Sequence, residues 1–520
     1  MTDAIKFTKP AFRVLDGTVE APLTPAALRG VASFFADSAQ PHTPGRVCHG
    51  LSCHLARGCD SVDGDARQPV YCLGYCDQSP AWLQADDRVI VSADRTVPVS
   101  TPIRSLGPEA VVTARIRRGS YADLGKARAA EVYATLAAWL RSRQSGDSST
   151  AARSANAAAL LDTVIRSGAQ GRGGAGFLTG EKWRATANAA DPNKIVIANG
   201  DEGDPGSYID RLLLENDPHA VLEGLALCAL AVGASRGIVY VRSEYPQALR
   251  CMQQAVHDAT AAGILGPESA EFPLHFDVTV VSGHGSYVCG EETALLNAIE
   301  GRRGEVRIRP PYPSVAGLHG HPTVVNNIET LVNIPWIAAR GAEAYRQLGT
   351  TQSPGTKAIC LNHGFARPGV VEVPYGTSLR RVIEEEGGGS GDGRPLLAVV
   401  LGGPMGSVLQ PGQWDVPIDY TTMRTSGIEL GHGGIVALPA DTDVPAVVQH
   451  WLTFMMRESC GRCVPCRAGS REALRLSESP GRSTDRAALD RLLQMISLGS
   501  LCAFGRNIPS PVRQLLALAG

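Results

Sequence analysis

The sequence has no long apolar run, no excess of charge of either sign and no secretory leader. Its longest apolar stretch, about Leu225 to Ala234, is bounded by Glu223 and Arg236 and interrupted by Gly233. A bilayer span needs roughly 20 apolar residues, so no membrane-spanning helix and no membrane partner are expected. Lys and Arg number 49 against 51 Asp and Glu. That balance offers no basic field for nucleic acid or an anionic lipid surface. The first ten residues, from Met1 to Pro10, contain neither an apolar core nor a cleavage site. No internal repeat is visible. Thirteen cysteines grouped at short spacings then read as metal ligands kept reduced in the cytoplasm, rather than as disulfides.

The strongest positive signal is Glu458-Ser-Cys-Gly-Arg-Cys-Val-Pro-Cys-Arg467, a Cys-x2-Cys-x2-Cys run, with Cys502 standing 36 positions after its last cysteine. Three thiolates at that spacing fit successive corners of one cubane cluster, and a remote fourth closes it. Cys460, Cys463, Cys466 and Cys502 are therefore expected to hold a [4Fe–4S] cluster. Structural zinc is the alternative, although zinc sites more often use paired Cys-x2-Cys knuckles.

A length of 520 residues accommodates about three or four domains. The Ser-rich stretch Arg141–Thr150 separates an N-terminal unit, residues 1–140, from the rest. Residues 150–345 alternate apolar strands (194–198, 237–241, 276–281) with helices (157–167, 246–262, 291–299), which predicts a parallel α/β sheet. Residues 355–440 change to short strands at 358–361, 369–373, 397–401 and 434–438, a small mixed β domain. From 444 to 520 the pattern is helical, with Val447, Trp451, Phe454 and Met455 at core spacing.

Three loops in the α/β region can carry chemistry. Gly171-Arg-Gly-Gly-Ala-Gly176 matches G-x-G-x-x-G, but a helix precedes it, so the dinucleotide fingerprint fails on context. Its glycines still let backbone approach a flat ring or a phosphate, with Lys182 as a counter-charge; a tight turn is the alternative. Asp201-Glu-Gly-Asp204 reads either as a solvated acidic turn or as a set of acceptors for ribose hydroxyls or ring nitrogens. Tyr287-Val-Cys-Gly-Glu-Glu-Thr293 opens a helix, where Glu291 and Glu292 either complement the dipole or face a ligand.

Taken in order, these loops with Glu300-Gly-Arg-Arg-Gly304, Pro310-Pro-Tyr-Pro313, Pro322-Thr-Val-Val-Asn-Asn-Ile-Glu-Thr330 and the cysteine set resemble the NADH-binding flavoprotein subunit of respiratory complex I. The diaphorase subunits of NAD-linked hydrogenases and the β subunit of NAD-dependent molybdenum formate dehydrogenase are its relatives. The resemblance spans about residues 155–510. It implies FMN, NAD(H) and one [4Fe–4S] cluster in a multidomain α/β chain, with a thioredoxin-like N-terminal domain and a Rossmann-like FMN/NAD domain. A β-grasp domain and a C-terminal helical bundle carrying the cluster follow.

The resemblance also implies site residues. Gly171, Arg172, Gly173, Gly174, Ala175 and Gly176 would line the flavin and nicotinamide, with Lys182 near a phosphate or NADH. Asn199, Asp201 and Glu202 would bond the flavin, and Asp204 stands where complex I proteins usually carry a glutamate that contacts NADH. Phe177 and Tyr312 would stack on a ring. Tyr287, Gly290, Glu291 and Glu292 carry over to the flavin pocket, and Asn326 and Asn327 to its phosphate end. Ala185 replaces an aromatic of some relatives. No catalytic acid or base is assigned, because hydride transfer needs none; the redox chemistry belongs to the cofactors.

Residues 1–140 depart from the pattern. Cys48 and Cys53, with Cys72 and Cys76, resemble the two halves of a thioredoxin-like [2Fe–2S] domain, but only 18 residues separate Cys53 from Cys72. A [2Fe–2S] cluster, free thiols and zinc stay open there, with Cys59 as a possible substitute ligand. The short fused domain, and no ferredoxin-like cysteine tail after Cys502, resemble the formate dehydrogenase β subunit most. Partners implied are a small thioredoxin-like [2Fe–2S] subunit and a large molybdopterin subunit; a hydrogenase or complex I diaphorase subunit is the alternative.

Overall fold

The structure, a computed structural model, describes residues 25–39, 45–58, 67–141, 150–269, 271–478 and 483–518. Cys59 and most of the Ser-rich linker lie outside the described residues.

A four-stranded parallel sheet forms the centre of the α/β region. Its order is Asp277–Ser282, Arg236–Val241, Ile195–Gly200, Thr323–Asn327. In register, Asn199 stands beside Tyr240 and Asn327, so three strands deliver their C-terminal ends to one edge. Loops at that edge are where a parallel sheet binds ligands. The outer strand Thr323–Asn327 was not expected from the sequence, since only Val324 and Val325 mark it as apolar.

The apolar run noted above is the helix Pro218–Val232, buried along its whole length. A helix apolar on all sides belongs inside a domain, and this one sits between the sheet and the helices Thr150–Ser167 and Ile328–Arg340. Burying each of Leu222, Leu225 and Leu227 completely contributes roughly 1.5–3 kcal/mol. Gly224 permits the close crossing, because a Cβ there would stand 2.2 Å from the Leu331 carbonyl oxygen.

The second sheet has six strands in the order Ser407–Leu409, Leu396–Leu401, Gly434–Pro439, Thr356–Leu361, Gly369–Pro374, Ile103–Ser105. Its edge strand comes from the N-terminal part of the chain, parallel to Gly369–Pro374. Glu372, fully buried, accepts from the Val111, Val112 and Thr113 amides at 2.7, 3.0 and 2.8 Å. Further on, Tyr133 Oη lies 2.9 Å from His219 Nδ1, and Trp139 Nε1 donates to the Ala338 carbonyl at 3.1 Å. So the division near residue 140 marks a change of composition, not of packing. The strands of the N-terminal sheet itself, Gln68–Val70, Gly45–Cys48, Ala81–Gln84 and Val89–Val91, end by Val91.

The helices Val444–Glu458, Val464–Ser477, Ser483–Gly499, Ala503–Asn507 and Pro509–Leu518 complete the chain. Trp451, Phe454 and Met455 are buried there in one core with Cys460, Cys466 and Cys502. Among the described residues no helix is long and apolar enough to cross a membrane.

Candidate functional site

A cavity of about 840 Å³ opens at the C-terminal edge of the parallel sheet. Every residue assigned above to flavin or nucleotide lines it, from Gly171 to Phe177 through Lys182, Asn199, Tyr287 and Asn327. So does Cys502. The volume lies in the range of cofactor-sized sites.

The glycine loop follows the helix Thr150–Ser167 and is braced from behind. The Gly171 amide donates to the Phe177 carbonyl at 2.8 Å, and Tyr420 Oη donates to the Gly171 carbonyl at 3.0 Å. Gly176 has φ +63°, and a Cβ there would stand 2.8 Å from the Tyr420 ring, so only glycine fits. Arg172 does not turn its side chain to the cavity. Its guanidinium is buried, donates to the Gln170 and Pro354 carbonyls and to Tyr345 Oη, and lies 4.7 Å from the Tyr375 ring centre. Its backbone amide is held as well, donating to Thr330 Oγ1 at 2.8 Å. Phe177 and Tyr312, 58% and 57% exposed, present open ring faces on the cavity wall.

Several polar residues are committed to the protein itself. Glu202 accepts from Ser207 Oγ at 2.6 Å and from the Asp210 and Arg211 amides at 3.1 and 3.0 Å. It caps the helix Ile209–Asn216, where a carboxylate complements the dipole. Asn199 donates to the Gly290 carbonyl at 2.9 Å. Asn326 accepts from Trp183 Nε1 at 2.8 Å, and Asn327 caps the helix Ile328–Arg340 and bonds Asp210.

Others keep atoms for a ligand. Glu291 caps the helix Glu292–Ile299 with Oε2, while its buried Oε1 makes no hydrogen bond among the described residues and faces Arg309 Nη2 at 3.4 Å. Buried Thr179 Oγ1 and His432 Nε2 likewise make no hydrogen bond among the described residues, and all three residues line the cavity. Buried polar atoms are nearly always satisfied, so these three fit a polar ligand such as a flavin mononucleotide. His432 Nδ1 accepts from the Gly434 amide at 3.1 Å, which leaves the ring proton on Nε2, 3.5 Å from Asp204 Oδ2. Asp204 also accepts from Tyr287 Oη. Burial pushes the Asp201 carboxyl well above its usual range, and Arg242, 3.9 Å away, only partly offsets this. A carboxyl kept protonated can donate as well as accept.

Cations gather beside Glu291 and Glu292. Lys182 Nζ donates to Glu292 Oε2 at 2.9 Å, and Arg309 reaches Glu292 Oε1 at 2.9 Å. Burial alone would raise the Glu292 carboxyl, but the two cations outweigh it and hold it below 4.5. The pairing is therefore complete above that ordinary glutamate value and is lost as pH falls below it. Glu292→Ala removes the carboxylate that positions Lys182 and Arg309, and should raise the KM for NADH about tenfold, the worth of one charge-assisted bond from a displaced cation. An unchanged KM with full flavin content would remove Glu292 from the site.

Arg309, Arg424 and His432 line the cavity as well and were not anticipated. Arg309 directly precedes Pro310-Pro-Tyr-Pro313, and His432 lies in a Gly-His-Gly-Gly turn, which were the available signals.

The cluster cysteines flank two helix starts. Cys463 caps Val464–Ser477 and Cys502 caps Ala503–Asn507. Burial pushes the Cys466 thiol up to about 12, and its neighbours Cys463, Cys502 and Cys460 add to this. Burial pushes Cys502 up to about 11. Such thiols become thiolates on binding metal, so the affinity of the site rises with pH. Among the described residues no group of three His, Cys, Asp or Glu side chains is arranged to hold a single metal ion. Ligands around a tetranuclear cluster stand further apart than those of one zinc ion.

The structure also brings Cys48, Cys53, Cys72 and Cys76 together, all buried. Cys72 and Cys76 sulfurs are 3.4 Å apart, the Gly74 amide donates to Cys72 Sγ at 3.3 Å, and Cys48 meets both Cys53 and Cys72. Of the isolated cysteines, Cys228, Cys289 and Cys360 are buried, whereas Cys251 is half-exposed on a helix rather than in a core.

Residues 164–336 match the family model of the Nuo51 FMN-binding domain, and residues 446–518 that of the NADH-ubiquinone oxidoreductase-F iron-sulfur binding region. The chain is 42% identical over 360 residues to the NADP-reducing hydrogenase subunit HndC of Solidesulfovibrio fructosivorans, covering 68% of this chain and 73% of that one. It is 36% identical over 363 residues to an NADH-quinone oxidoreductase subunit of Escherichia coli K12, covering 69% and 82%. A crystal structure of NAD+-reducing [NiFe]-hydrogenase in the air-oxidized state superposes with a TM-score of 0.79 at 30% identity, covering 95% of this chain and 87% of that one. The chain therefore belongs to the NADH-binding flavoprotein family of complex I and NAD-reducing hydrogenases, which binds FMN and a [4Fe–4S] cluster.

Proposed function

We propose that this chain is the diaphorase unit of an NAD-linked dehydrogenase, where hydride from or to NAD(H) is exchanged for single electrons. The observation that carries this reading is the shared cavity: the glycine loop, the acidic loop and Cys502 line one space. FMN, when bound, supplies the change from electron pairs to single electrons. The backbone of Gly171–Gly176 gives a flat wall, and Phe177 and Tyr312 offer ring faces for stacking. Glu291 Oε1, Thr179 Oγ1 and His432 Nε2 accept or donate bonds to the bound groups. Lys182 and Arg309 hold the negative end, and Asp204, fixed by Tyr287 and His432, contacts a ribose.

Cys48, Cys53, Cys72 and Cys76 would hold a [2Fe–2S] cluster, which their mutual approach supports. The thioredoxin-like and β-grasp identities of the outer sheets belong to the same reading. Iron near six atoms per chain, against four without this cluster, tests it.

The dehydrogenase partner is read as a molybdopterin formate dehydrogenase subunit, together with a small [2Fe–2S] thioredoxin-like subunit. Similarity to an NAD+-reducing hydrogenase along 95% of the chain favours the second reading, a nickel–iron partner. The purified complex decides. Formate-dependent NAD+ reduction with bound molybdenum is expected; hydrogen-dependent reduction with bound nickel would overturn the formate reading.

A further inference from the structure

One buried cation beside the flavin cavity makes no ion pair among the described residues. Arg172 is 1% exposed, and its guanidinium donates to the Gln170 carbonyl at 2.8 Å, to Tyr345 Oη at 2.7 Å and to the Pro354 carbonyl at 3.2 Å. All three acceptors are neutral. Its Nε makes no hydrogen bond among the described residues, and the Tyr375 ring centre lies 4.7 Å away. Tyr345 Oη donates onward to Asn333 Oδ1 at 2.9 Å, which leaves its oxygen as an acceptor for the guanidinium. Burial alone would favour loss of the proton, but Tyr345, Tyr375 and Tyr420 outweigh it and keep the group charged.

A charge taken out of water is ordinarily paired. The other cations of the cavity wall are either paired or wet. Lys182 and Arg309 each stand 2.9 Å from a Glu292 oxygen, and Arg424 is exposed. Glu329 attracts Arg172 as well, but Lys357 already holds that carboxylate at 2.5 Å. Asp201, which burial keeps towards its protonated form, adds little opposing charge. The Arg172 cation is also fixed in place. Its amide is tied to Thr330, and Gly171 and Gly173 on either side of it line the cavity.

Hydride transfer from NADH breaks a C–H bond of the nicotinamide and forms an N–H bond on the flavin. The flavin gains two electrons and one proton, so the cavity gains one negative charge, while the charge of the flavin's phosphate does not change. We propose that Arg172 is the built-in counter-charge for that gain: its guanidinium, held behind the glycine loop, favours reduced over oxidised flavin without touching either. The proposal rests on the diaphorase reading above. A fixed charge in dry surroundings suits this role, because it needs no rearrangement when the new charge arrives and water screens it little.

The test uses the full chain with its cluster, and FMN as the probe. Chain and FMN are equilibrated either fully oxidised or fully reduced with dithionite, and the free FMN is separated and counted by its fluorescence in air. Arg172→Met should weaken the binding of reduced FMN about tenfold more than that of oxidised FMN. That ratio corresponds to a two-electron potential of the bound flavin lower by about 30 mV. Arg172→Lys keeps the charge and should keep the parental ratio. A guanidinium that merely holds the loop predicts equal losses for both forms; that result, or no loss in either, overturns the proposal. If Arg172→Met binds neither form, Asn333→Asp takes its place. A carboxylate accepting from Tyr345 offsets the guanidinium, and should weaken reduced FMN more than oxidised FMN. An unchanged ratio in that variant overturns the proposal as well. A parent that binds FMN in neither state would instead sink the diaphorase reading.

Discussion

Cys463→Ser is expected to remove the tetranuclear cluster, about four iron atoms per chain, and with it all electron exchange with a partner protein. Reduction of the flavin by NADH should survive, because that cavity is built mainly from residues 171–327 and has its own bracing from Tyr420 and Thr330. Ferricyanide, a small acceptor able to enter the cavity mouth, should then still be reduced near the parental rate. The substitution reaches beyond chemistry. Cys460, Cys466 and Cys502 share a core with Trp451, Phe454, Leu493 and Ile496, so metal binding and packing of the terminal helices are one event. Thermal unfolding of the helical region should begin at lower temperature in the variant. Cys251→Ser is the control, since Cys251 is half-exposed on a helix remote from both cysteine sets in sequence. Full iron content in Cys463→Ser, with undiminished transfer to the partner, would overturn the ligand assignment.

The parallel strands were legible because each is a short apolar run ending in a glycine-rich or polar loop, as in Ile195–Gly200. Thr323–Asn327 was not, since its last two residues are asparagines that cap a helix and brace a tryptophan. Ile103–Ser105 was hidden for another reason: its partner strand lies about 265 residues further along the chain, and local pattern carries no trace of such pairing. The site shows the same division. Glycine spacing located the loop at 171–176, and helix-opening acids located Glu291 and Glu292. Sequence did not distinguish polar residues that face the cavity from those that hold its wall. Glu202 and Arg172 stand in loops that read as ligand contacts, yet the carboxylate of one caps a helix and the guanidinium of the other is buried between sheets. Which way a long side chain turns is decided by partners far away in sequence, here Tyr345, Pro354 and Tyr375.

Lys357→Met should destabilise the protein by about 3–5 kcal/mol, the cost of leaving one buried charge without its partner. Lys357 Nζ stands 2.5 Å from Glu329 Oε2, with the two side chains 0% and 1% exposed. The pair joins the strand Thr356–Leu361 of the six-stranded sheet to the helix Ile328–Arg340 of the α/β region, beside the cavity that Glu329 lines. Glu329 Oε1 accepts from the Ala358 amide at 3.0 Å, so the methionine variant strands a carboxylate that keeps one backbone bond. Burial alone would lower the lysine, but Glu329 outweighs it and raises the ammonium above 10.5. The contribution is therefore complete below that value and is lost only as pH rises through the raised one; at neutral pH it is intact. Because Glu329 lines the flavin cavity, the single variant should also lose flavin before it unfolds, read as fluorescence released on warming. Lys357→Met with Glu329→Leu removes both charges and should recover most of the loss, since an apolar pair of similar volume commonly replaces a buried ion pair without penalty. If the double variant is no more stable than the single one, shape rather than charge holds the strand and the helix together at this point. If the single variant unfolds at the parental temperature, the pair does not hold them at all.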